Sequence, residues 1–157
     1  MAEPRWLDAQ EQQIWRSYLA ATRLLAEHLE RDLQRHAGIP LQYYEILVRL
    51  SEAPGRTMRM SELADRSQSS RSRLSHAVAR LEHVGWVRRD SCPSDRRGQL
   101  AVLTGNGFAA LRAAAPHHVA SVRKHLLDGL SQDQLAQLGV ISRVLLDHLS
   151  ALRVSPA

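Results

Sequence analysis

Apolar residues recur at helical spacing from the start of the chain. Ile14, Tyr18, Leu25, Leu29 and Leu33 fall three or four apart with one turn skipped, which predicts a long amphipathic helix over 8–35. Gly38 and Pro40 stop it. Tyr44, Leu47, Val48 and Leu50 mark a second helix over 41–51, closed by Ala53-Pro54-Gly55. A short third helix is expected over 61–66, with Ser61 as its N-cap and Leu63 and Ala64 facing inward. After Ser67-Gln68-Ser69, Ser70 is placed to cap a fourth helix. Its Leu74, Ala77, Val78 and Leu81 form an i, i+3, i+4, i+7 stripe that runs out at Gly85. Segments 86–89 and 99–103 flank Cys92-Pro93-Ser94-Asp95-Arg96-Arg97-Gly98 and read as a β-hairpin with a basic tip. Two more helices are expected, over 104–127 with a kink or break at Pro116, and over 132–152 after a Ser131 cap.

Composition narrows the classes. The 157 residues suit one compact domain with completing helices, and 44% hydrophobic with 24% charged residues is enough to bury a core. Aromatics at 4% argue against a stacking platform for sugars or single strands. Cys92 is the sole cysteine, which excludes an internal disulfide and a zinc site built on several thiolates. Counting uninterrupted apolar runs finds no membrane span, and the N-terminus lacks the order of a signal peptide. The expectation is therefore a cytoplasmic protein with no membrane partner. Twenty of the 21 basic residues are arginine, a mark of GC-rich coding that points to a bacterial source.

The position of the charge says more than its total of +5. Residues 56–97 hold ten arginines against five acids, whereas the rest of the chain balances at eleven each. A positive patch confined to one segment is the footprint of a polyanion binder, because each neutralised phosphate releases counterions. The other reading of such a patch is a solvated arginine-rich face.

A short helix, a tight link, a second helix and a hairpin within that segment is the order of a winged helix-turn-helix, in which the second helix enters the major groove. With the apolar stripe inward, Ser72, His76 and His83 point outward, Arg73 and Arg80 lie on one flank, and Arg71 and Ser75 on the other. Hydroxyl, imidazole and guanidinium groups bond base edges, arginine to guanine being the commonest specific pair. Ser70, Arg71, Ser72, Arg73, Ser75, His76 and Arg80 are the DNA-contact candidates on the helix. Arg96 and Arg97 at the hairpin tip are candidates for the adjacent minor groove.

These motifs resemble the MarR (multiple antibiotic resistance regulator) family. Ser61-Glu62-Leu63-Ala64-Asp65-Arg66 resembles its first motif helix. Ser70-Arg71-Ser72-Arg73-Leu74-Ser75 and 80–87 resemble its recognition helix and the start of its wing, and Asp95-Arg96-Arg97-Gly98 with 103–107 its wing signature and the following helix. The resemblance implies a mainly α fold with a small β-hairpin wing. Residues 39–104 would form the DNA-binding domain, and 1–38 with 105–157 a helical dimerisation region. It implies a homodimer on a palindromic operator, acting mostly as a repressor, and in many members released by a small aromatic or phenolic effector. Trp15, Tyr18, His28, Tyr43 and His117 are its candidate ligand contacts, with ordinary core packing as the alternative for each. The stripe Leu135, Leu138, Ile141, Leu145, Leu149 and Leu152 supports dimerisation from the residues themselves, against an intrachain bundle as the other reading. Ser67-Gln68-Ser69 departs from the family, which places apolar plugs there. The turn should be looser unless Met58 or Met60 fills the gap.

Rival readings rest on thinner patterns. Eight histidines raise a metal sensor, but no His-x3-His or His-Glu-x-x-His pair is present, so a site would need residues such as His28, His36 and Glu30 pooled across helices. Cys92 near Arg88, Arg89, Arg96 and Arg97 raises a thiol switch, with an incidental exposed thiol as the plainer reading. No nucleophile elbow, phosphate loop or paired carboxylates indicate an enzyme or a bound cofactor. A helical interaction protein that ignores DNA would leave the confined charge unexplained.

Overall fold

The computed structural model describes residues 4–92 and 95–154, with the backbone alone for Arg96, Arg97, Arg153 and Val154. Its helices are α1 (Ala9–Ala37), α2 (Leu41–Glu52), α3 (Met60–Arg66), α4 (Arg71–His83), α5 (Gly105–His125) and α6 (Gln132–Val154). Its strands are β1 (Thr57–Arg59), β2 (Val87–Cys92) and β3 (Asp95–Leu103). The chain is mainly α with a small antiparallel sheet, as the sequence predicts. Two compact units divide it, Met1–Ser121 and Val122–Ala157.

In the first unit α1 opens on a capping box. Asp8 accepts from the Glu11 amide at 2.8 Å and Glu11 accepts from the Asp8 amide at 3.0 Å, while Gly38 closes the helix at φ +66°. Leu33, Leu47, Leu63, Leu74, Val78 and Leu81 are fully buried in one core that joins α1 to α4. The fourth helix keeps the predicted phase, and Ser70 Oγ accepts from the Arg73 amide at 3.2 Å.

Three local expectations are corrected and one, the hairpin, is extended. Ser61 is not an N-cap: β1 runs directly into α3, Arg59 takes the cap position without a side-chain bond, and Ser61 lies inside the first turn. The hairpin is part of a three-stranded sheet of order β1-β3-β2, because Thr57, Met58 and Arg59 pair with Val102, Ala101 and Leu100. Pro116 neither breaks nor ends α5. Pro116 and Arg112, whose carbonyl loses its donor, both sit on the exposed side, where water replaces the missing bond. Cys92 is not an exposed thiol but 7% exposed, at a bulge where Ser91 and Cys92 shift register.

The polar turn is closed by its own backbone. Ser67, Gln68 and Ser69 amides donate to Leu63, Asp65 and Ala64 carbonyls at 2.9, 3.1 and 3.0 Å, with Gln68 at φ +50°. Met58, 4% exposed, shares the core with Leu63 and Leu74, and Met60 is half-buried against it. The base of the wing is tied to α5 through Thr104. Its hydroxyl donates to the Gly85 carbonyl at 2.7 Å and accepts from the Gly107 amide at 3.0 Å. Gly107 must be glycine, since a Cβ there would collide with the Trp86 carbonyl.

In the second unit Arg123 pairs with Asp128 at 3.0 Å, and Ser131 with Gln134 forms a capping box for α6. Gln132–Leu152 is long and apolar enough to cross a membrane by length and composition, which corrects the count of uninterrupted runs. Scattered polar residues such as Arg143 and Asp147 break the runs without lowering the average enough. Val140, Ile141, Val144, Leu145, Leu146, Leu149 and Leu152 are all exposed on it.

Candidate nucleic-acid interface

The recognition candidate is α4. Leu74, Ala77, Val78 and Leu81 bury one side of it, leaving Arg71, Ser72, Arg73, His76 and Arg80 exposed and Ser75 half-buried. Ser70 sits at the start of the helix with its oxygen occupied as the cap and its hydroxyl proton available.

Ion pairing sorts the arginines of the basic segment. Arg66 pairs with Glu62 at 2.8 Å, Arg88 with Asp90 at 3.0 Å, and Arg59 with Asp95 at 3.7 Å. Arg89 turns inward against α4. Among the described residues, no carboxylate pairs with Arg71, Arg73 or Arg80. Arg96 and Arg97 lie on β3 at the hairpin end, and their side chains fall outside the described residues.

Two clefts flank α4. One, of about 500 Å³, lies between the helix and the wing and is lined by Arg59, Ser61, Arg71, Ser75, Ser91 and Gln99. The other joins Gln42 and Tyr43 of α2 to Arg73, His76 and Arg80. Sequence reasoning missed Arg59, Ser61 and Gln42 as neighbours of the recognition helix. The positive count over 56–97 includes Arg59, but β1 is too short to show an alternating pattern.

The five ligand candidates are dispersed. Trp15 and Tyr18 are about half exposed on α1, at 51% and 50%, and His28 is half-buried on the same helix. Tyr43 faces the α4 groove. His117 stacks on His36 with centroids 5.2 Å apart. Their chain neighbours meet instead: Tyr44 packs on His118 at 4.5 Å in a cleft of about 300 Å³ with Glu45, Val48, Arg49 and Glu52. Arg49 Nε and His118 Nδ1 are both buried there without hydrogen-bond partners. Burial pushes the Tyr44 pKa up and the His118 pKa down. Among the described residues, no three His, Cys, Asp or Glu side chains are placed to hold a metal.

A helix with a polar, arginine-bearing outer face, a preceding short helix and an antiparallel wing define a winged helix-turn-helix. Residues 37–98 match the MarR family model. The chain is 54% identical to a MarR family transcriptional regulator of Streptomyces coelicolor, Sco3205, solved in complex with DNA. That match covers 95% of this chain and 93% of the other at a TM-score of 0.90. AbsC, another MarR family regulator of that organism, is 48% identical over 94% and 99% of the two chains, with a TM-score of 0.88. An HTH-type regulator of Bacillus subtilis, YkoM, is 24% identical over 82% of this chain and 80% of its own length. The chain belongs to the MarR family of transcriptional regulators.

Proposed function

We propose that the protein binds a palindromic operator in double-stranded DNA as a homodimer and acts there as a repressor in a bacterial cytoplasm. The observation that carries this reading is the outer face of α4, where Arg71, Arg73 and Arg80 are exposed without carboxylate partners while Arg66 and Arg88 beside them are paired. Ser70, Ser72, Ser75 and His76 read base edges or position the backbone with them, and Arg96 and Arg97 reach the minor groove. The DNA complex of the Streptomyces coelicolor relative supports the partner.

The exposed apolar residues of α1 and α6 support a dimer, since a monomer rarely leaves so much apolar surface in contact with water. A membrane is a poorer cover for α6, because Arg143 and Asp147 lie within the apolar stretch and a charge inside a bilayer is costly. A twofold dimer presents its recognition helices to half-sites about 34–36 Å apart. Release by a small aromatic or phenolic acid is supported at the Tyr44–His118 cleft. There a phenolate or carboxylate would find the unpartnered Arg49 Nε and His118 Nδ1.

Selection of duplexes from a random pool at physiological salt, with molecular mass measured alongside, tests the reading. The expected result is a palindromic consensus bound by a species of twice 17.6 kDa. Arg73→Ala should relax specificity at one base pair, and Arg97→Ala should lower the salt slope by about 0.9. Sequence-blind binding by the dimer, or none, overturns it.

A further inference from the structure

The Arg89 guanidinium folds back onto the recognition helix. It stands on β2 opposite Ala101, and its side chain is 23% exposed. Its Nη2 donates to the Ser75 carbonyl at 2.7 Å and reaches the Ser75 hydroxyl at 3.4 Å. Its Nε stands 3.7 Å from Glu82 Oε2, and its own amide donates to Glu82 Oε1 at 3.2 Å. Ser75 and Glu82 are seven residues apart, two turns along one side of α4. The guanidinium therefore meets the helix at two levels, by a hydrogen bond at Ser75 and a longer ion pair at Glu82 in which Nε has no hydrogen-bond partner, a span the single ammonium of a lysine cannot cover. Ser75 is next to His76 on the half of the helix that carries Ser72 and Arg73, and β2 leads straight to the hairpin tip.

We propose that Arg89 is a positioning residue that locks the recognition helix to the wing, so that helix and hairpin meet DNA at a preset angle rather than supplying two independent contacts. This rests on the DNA-binding reading for its consequence, but the lock itself is a property of the unbound protein. Arg89 makes no contact with phosphate in this account, since its Nη2 is engaged at Ser75 and its Nε is buried facing Glu82.

Arg89→Lys keeps the charge and removes the fork. Operator affinity should fall about tenfold, while affinity for a scrambled duplex and the salt slope stay at their wild-type values. Glu82→Gln should lower operator affinity in the same direction by less. Amide hydrogen exchange of the unbound Arg89→Lys protein should rise across 71–79 and stay unchanged in β3 and α2. The lock is overturned if exchange across 71–79 is unchanged. It is equally overturned if Arg89→Lys binds operator like the wild type, or if Arg89→Met lowers the salt slope and Arg89→Lys does not. A wild-type protein with no sequence preference would refute the DNA reading alone, and the exchange result would still decide the lock.

Discussion

The winged segment and α6 both carry apolar residues at helical spacing, with opposite fates for them. Around α4 the apolar residues are covered by the same chain: Leu63, Leu74, Val78 and Leu81 lose essentially all contact with water, and Arg71, Arg73 and Arg80 face out. Along α6 the apolar residues themselves face out. An amphipathic pattern records that one side of a helix needs cover, not which chain supplies it. The apolar residues of the winged segment are covered within the chain, and those of α6 are left facing water.

The largest effect should come from charging that surface. Ile141→Glu with Leu145→Glu places two carboxylates one turn apart on α6 and should halve the mass in solution. Operator affinity should fall by more than about a hundredfold, since a monomer holds one half-site instead of two. Equilibrium sedimentation and DNA titration read both. If the double variant keeps its mass, the contrast between the regions collapses.

Truncation in the winged core should act differently. Leu81→Ala removes a fully buried side chain and should cost about 3 kcal/mol, read as a lower midpoint in urea melts at one protein concentration, with the mass in solution unchanged. The same truncation at Leu145 should instead lower the mass on dilution. Gly107→Ala drives a methyl into the Trp86 carbonyl and Leu103, and should cost about 2 kcal/mol; an unchanged melting temperature would show that α5 adjusts freely at the wing base.

The smallest effect is one of pH. Burial lowers the His118 pKa, so below about pH 6.5 the unfolded chain takes up a proton that the folded chain resists. The contribution is complete above that pH and is lost as pH falls towards the lower folded value. His118→Gln should flatten this part of the stability profile, measured by denaturation between about pH 7.5 and 5.5. A profile identical to wild type would place the acid sensitivity elsewhere.

What was legible in the sequence followed from periodicity. The phase of α4 and its outward residues came directly from Leu74, Ala77, Val78 and Leu81, because a half-buried helix has only one way to face its core. The ligand candidates show where that logic fails. Tyr43 and Tyr44, like His117 and His118, are adjacent, and one residue is about 100° of helix. Without a partner helix to fix the phase of α2 against α5, the sequence does not show that Tyr44 and His118 are the members that meet. β1 was invisible because three residues cannot establish alternation. Pro116 does not break α5 because a proline on a solvated helix face leaves a carbonyl that water can serve.

The buried position of Cys92 makes this chain a ready substrate for labelling chemistry. The only thiol is shielded near the turn end of the hairpin, so a cysteine introduced at the exposed Ser72 would react far faster with a maleimide dye or a nitroxide. Each copy would then carry one reporter at the tip of its recognition helix, with no need to remove the native cysteine. Pulsed spin resonance between two such reporters would serve as a ruler across the assembly and would register any change in helix separation when a small molecule is added.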